Sequence, residues 1–232
     1  MAKRIVKKAE ERKAEILGVA QRLFFAQGYD NTSIADIILA TGISKGAFYH
    51  HFASKDELLG GMVEQFRDQL IEQLGQIVDS DRSPLDKLNQ IFRTTQAEKL
   101  RNIETLEMAF RTLFSDDNIK LRTRMMDNNF LVSLPLIRKV IAEGVSSGEF
   151  QSTDIDATAE FILVLGMYMG EQIAACILKR LENNSFDTLR QKVSHFERNV
   201  EGLLGLSPHS FVAIAPDVLQ QLEAHFSQEV TA

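Results

Sequence analysis

Lys45, Tyr49 and His50 stand on one short segment whose phenylalanines, Phe48 and Phe52, recur at i, i+4. If that segment is a helix, the two rings take its inner face and the ammonium, phenol and imidazole are left pointing elsewhere. Just upstream, Ser33 and Asp36 have the S-x-x-D spacing of a capping box, opening a helix whose apolar residues are Ile34, Ile37 and Ile38. Gly42 stands where a left-handed residue ends that helix, and Ser44 can cap the next. Two short helices joined by a tight turn make a helix-turn-helix, in which one helix braces and the next enters the major groove of DNA. The chemistry is therefore recognition of double-stranded DNA.

Other chemistries find little support. No nucleophile–base set, glycine-rich phosphate loop or H-E-x-x-H pattern is present, which leaves an enzyme as a remote alternative. His50 and His51 are neighbours, about 100° apart on a helix, so they cannot chelate one ion together and no metal is expected. The single cysteine, Cys176, excludes a disulfide framework and a thiolate cluster, and no cofactor is expected.

Composition fits this reading. The net charge is −6, yet residues 1–60 hold nine lysines and arginines against seven acids, which makes a basic head on an acidic body. Phosphate contacts are local, so such a head is compatible with DNA. Lys3, Arg4, Lys7 and Lys8 add a basic start without the apolar core of a secretory signal, and a cytoplasmic location is expected. The most apolar run, Phe161–Leu178, contains Glu171 and Gln172 and reads as a core or dimer-seam helix.

Helical periodicity extends almost everywhere, so the expected fold is all-α. A first helix over about 8–27 places Ile16, Ala20, Leu23 and Phe24 inward and ends at Gly28. A fourth opens with the capping box Ser54-x-x-Glu57 and runs to about Val78. Further helices are expected near 84–101, 103–115, 117–144, 154–182, 186–205 and 217–227. Pro135 should kink or split the segment 117–144. The expected domains are 8–57 for DNA binding and 58–232 for effector binding and dimerisation.

Segment 8–60 resembles the DNA-binding domain of the TetR family of transcriptional regulators. The resemblance rests on Gly28-Tyr29, Thr32-Ser33, Gly42-x-Ser44-Lys45-Gly46, Phe48-Tyr49-His50-His51-Phe52 and Ser54-Lys55-Asp56-Glu57-Leu58. It implies DNA contacts at Thr32, Ser33, Ser44, Lys45, Gly46, Ala47, Tyr49, His50, His51 and Lys55. Ser44 and Lys45 would reach base edges or phosphates, Gly46 would permit close approach, and Ala47 would offer a methyl to thymine. Tyr49 and His51 match phosphate-contacting positions, and Lys55 matches a phosphate-clamping lysine. Thr32 and Ser33 would donate to phosphate at a helix N-terminus. Ser33 and Ser44 can equally serve as caps alone.

The resemblance also implies a small-molecule effector that releases the repressor from DNA. Phe66, Phe92, Met108, Phe110, Phe114, Met126 and Phe130, with the polar Arg111 and Asn129, are the expected pocket walls, each of which also suits an ordinary bundle core. Control by a protein partner is the alternative. Gly166, Gly170 and Ala174 make a small-residue stripe, the expected seam of a homodimer reading a palindromic operator.

Overall fold

The computed structural model describes the backbone of residues 2–100, 110–178 and 186–229, and the side chains of 9–93, 110–178 and 186–224. It is all-α, with no strand among the described residues. In chain order the helices are α1 (Ala2–Gln27), α2 (Ile34–Thr41), α3 (Lys45–His51), α4 (Lys55–Val78), α5 (Pro84–Leu100), α6 (Ile119–Ser147), α7 (Ile155–Ile177), α8 (Phe186–Leu204) and α9 (Pro216–Glu229). A 3₁₀ turn, Asp116–Asn118, leads into α6. Most of the helix expected over 103–115 lies outside the described residues.

The chain divides into two compact units. One comprises Met1–Gln69 and Arg111–Asn129, the other Leu70–Phe110 and Phe130–Ala232. The expected boundary at 57/58 is therefore displaced. Its physical reason is burial: Leu58, Leu59 and Met62 of α4 and Leu121 of α6 complete the core that Ile16, Ala20, Phe24, Ile37 and Phe48 begin.

Local sequence explains the first unit. Gly28, at φ +92°, ends α1 by donating its N–H to Phe24 O at 3.0 Å. Its missing Cβ is also a packing requirement, because a Cβ there would stand 2.8 Å from that of Asp117. Ser33 and Asp36 form the complete capping box, with Asp36 N donating to Ser33 Oγ and Ser33 N to Asp36 Oδ2. Gly42, at φ +68°, closes α2, and Ser44 Oγ accepts from Ala47 N at 3.1 Å to open α3. Each such cap contributes about 1 kcal/mol, enough to matter for helices of eight and seven residues.

The second unit packs α4, α5, α6, α7 and α8 around Leu74, Leu88, Val140, Ile141, Ile162 and Val200. Phe92, Phe196 and Phe211 meet with ring centroids 5.4–5.8 Å apart. Beyond α8 the chain is gripped by side chains: Glu201 accepts Phe211 N, Asn89 accepts Val212 N and Glu197 accepts Ala213 N. Burial raises the Glu197 carboxyl above the usual carboxylate range. Two expectations change here. Of the kink or split expected at Pro135, the split does not occur, and α6 runs unbroken from Ile119 to Ser147. Pro135 and Leu131 share the exposed face, where water can take the carbonyl that proline leaves unpaired.

The second change concerns the small-residue stripe. A Cβ on Gly166 would stand 2.6 Å from Phe92 Cε1, and Ala174 is fully buried. Both belong to the chain's own core, so Gly166 and Ala174 are not available as a seam, while Gly170 has open space around it. The outward line of α7 is instead Phe161, Val164 and Tyr168, exposed at 59%, 49% and 50%. By length and composition α7 could cross a membrane, but Ile162, Leu163, Met169, Ile173 and Ile177 are buried in this core.

Candidate nucleic-acid interface

The short α3 carries the expected site. Phe48 is fully buried and anchors the helix, while Ser44, Lys45, Gly46, Tyr49 and His50 are exposed and Ala47 and His51 half-buried. Tyr49 packs its ring edge-on to Phe48 at 5.5 Å yet remains 45% exposed, so the side chain is held and its phenol is still presented. Open space surrounds Gly46, leaving room for another backbone. A rigid, capped helix presenting an ammonium, a phenol and imidazoles can bind phosphates and base edges.

Ser33 is exposed, but its Oγ is already engaged with Asp36, at 2.6 Å as donor and 3.1 Å as acceptor. Its capping role is therefore shown. Thr32 departs from the expectation. It is 1% exposed, and its hydroxyl donates to Gly28 O at 2.7 Å, so that hydroxyl closes the turn after α1 rather than facing a ligand.

Lys55 also departs. Its Nζ donates to Tyr29 O at 2.7 Å and Thr32 O at 3.1 Å, and lies 4.2 Å from the centroid of the Tyr29 ring. In this state the lysine gathers the carbonyls of the loop before α2. Loop and α4 are thereby locked together.

A second layer holds this arrangement in place. Asn118 is fully buried; it accepts Tyr29 N at 2.7 Å and donates to Thr112 O at 2.9 Å. Asp56, next to Lys55, pairs with Lys120 and with Arg124, the latter at 2.9 Å. Hydrogen bonds from Lys120 and then Arg124 hold the Asp56 carboxyl below the usual carboxylate range. Apart from the bond between Asn118 and Thr112, these pairings were not legible locally, because the partners lie 64 to 89 residues apart.

Two further cations approach from α1. Arg12 and Lys13 precede Ile16 and Leu17 by one turn, and Lys13 Nζ lies 5.8 Å from the centroid of Phe52, the residue that caps the end of α3. The His51 imidazole is held below its ordinary value by burial first, then by His50, Arg12 and Lys13. The signal available in the sequence was an interruption: the apolar line of α1 turns cationic at that point.

The expected effector pocket is not gathered into one unit. Phe66, Arg111, Phe114, Met126 and Asn129 belong to the first unit, Phe92, Phe110 and Phe130 to the second, and Met108 lies outside the described residues. Phe92 is core, as its ring contacts require. An open cleft of about 640 Å³ in the second unit is lined by Gln73, Gln76, Ile77, Ser80, Asp81, Arg82 and Gln90, none of them expected. No group of three or more metal-ligating side chains occurs among the described residues.

Residues 16–62 match the family described as bacterial regulatory proteins, tetR family. The transcriptional repressor KstR2 of Mycobacterium tuberculosis is 28% identical over 166 residues, covering 68% of this chain and 80% of that protein. A TetR-family transcriptional regulator from Pectobacterium atrosepticum has the same fold, with 24% identity, a TM-score of 0.63 and coverage of 88% and 98%. SmeT, solved as a complex with triclosan, matches with 19% identity, a TM-score of 0.64 and coverage of 86% and 94%. These relatives are regulators, not enzymes.

Proposed function

We propose that this chain, whose residues 16–62 match the tetR family of bacterial regulatory proteins, is a helix-turn-helix transcriptional repressor that binds a palindromic operator as a homodimer and is released by a small, largely apolar effector. The observation that carries the DNA reading is α3: buried through Phe48, capped by Ser44, and exposing Lys45, Tyr49 and His50 along one short ridge. A single helix of seven residues reads few base pairs, so two copies on a two-fold axis supply the specificity. The face offered to a second copy is the outward line of α7, Phe161, Val164 and Tyr168, which replaces the stripe expected from the sequence.

Effector control rests on kinship in fold with SmeT, a protein seen with triclosan. The cytoplasm, where DNA and small effectors meet, is the proposed location. Replacing Tyr49 by Ala tests the interface. One hydrogen bond to a charged phosphate contributes about 1.5 kcal/mol, so affinity should fall roughly tenfold on every duplex while the dimer persists. Unchanged affinity in a fluorescence titration would remove Tyr49 from the interface.

A further inference from the structure

Arg12 and Lys13 sit where the repeat that buries Ile16, Ala20 and Phe24 would place apolar residues one turn earlier. They are instead cationic, at the rim of the core, beside the end of α3. Lys13 reaches over Phe52, and Arg12 is 47% exposed along its side chain and held by Glu15 at 2.5 Å. His50 and His51 close the same corner, with ring centroids 5.2 Å apart. Four groups able to carry positive charge thus converge from two helices, and Glu15 is the acid paired among them.

We propose that Arg12, Lys13 and His51 form one phosphate-binding site shared by α1 and α3, and that DNA binding at this site is coupled to uptake of a proton by His51. The proposal deepens the DNA-binding reading and rests on it. In free protein, protonating His51 adds charge beside Arg12, Lys13 and His50, which disfavours it, as burial also does. A phosphate placed against the three groups reverses that balance. The imidazolium then gains an anion partner, and its pKa rises in the complex. Linkage fixes the sign: the complex holds more protons than free protein between the two pKa values, so affinity rises as pH falls through that window.

The test uses the full chain and a duplex enriched from a random pool, with binding followed by fluorescence anisotropy between pH 5.5 and 8. Affinity should rise as pH falls, by at most about tenfold per pH unit for each His51 engaged. His51→Gln should bind with a flattened pH profile, whereas His50→Gln should bind more weakly at every pH and keep the slope. Arg12→Gln and Lys13→Gln should each lower the slope of log affinity against log salt by about 0.9, the signature of one lost phosphate. Cations that merely support the end of α3 would leave that slope unchanged. NMR titration of the His51 ring with and without duplex gives a second measure, and its pKa should move upward on binding.

A wild-type profile in His51→Gln, a flat profile in His50→Gln, or unaltered salt slopes in both α1 variants would overturn the shared site. Failure of wild-type protein to bind any duplex at any pH would overturn the DNA-binding reading together with it.

Discussion

At the scale of single residues, Asn118 shows how a polar side chain sets the geometry of a surface it does not belong to. It is fully buried, and its Oδ1 accepts the Tyr29 N–H at 2.7 Å. Tyr29 O in turn accepts Lys55 Nζ, so one amide lies behind the loop that leads into α2. Asn118→Leu would leave the Tyr29 N–H buried without a partner, at a cost of about 2 kcal/mol. Urea unfolding should show that loss, and a wild-type midpoint would mean the amide is replaceable. The caps Ser33, Ser44 and Gly42 were legible in the sequence because their partners lie within four residues. Asn118 was not, because its partner lies 89 residues away. Thr32 and Lys55 mark the opposite limit: their types suit phosphate, but burial and three loop carbonyls decide what they do here.

At the scale of elements, α7 explains why helix positions were legible and one of its faces was not. Apolar periodicity marks a helix clearly, but α7 is apolar nearly all round, so the pattern alone does not say which side meets the core. The structure turns Gly166 towards Phe92 and leaves Val164 outward. Two substitutions two residues apart should therefore fail differently. Gly166→Val forces a side chain against the Phe92 ring and should lower stability by about 1–3 kcal/mol. Val164→Glu puts a charge on the exposed line and should leave folding intact while shifting the protein from dimer to monomer in analytical ultracentrifugation. A fully dimeric Val164→Glu at low concentration would place the seam elsewhere. Pro135 teaches a related lesson, since its cost depends on whether the freed carbonyl faces water.

At the scale of the whole molecule, sequence order and spatial unit part company. Residues 111–129 return to the DNA-binding unit, and α4 and α6 each contribute to both units. Nothing local announces such a return, so the boundary at 57/58 was misplaced and the residues expected to line a pocket fall in both units. What did survive is the class of the fold and the helix-turn-helix, both encoded by short-range pattern. For an effector to turn the repressor from 1:99 to 99:1 between its states, it must prefer one of them by roughly 5.5 kcal/mol. The central claim, a two-fold dimer reading DNA through α3, is tested most directly by enriching bound duplexes from a random pool. The account predicts an inverted repeat with half-sites about one helical turn (~34–36 Å) or a multiple apart. Enrichment of an asymmetric sequence, or of none, would contradict it.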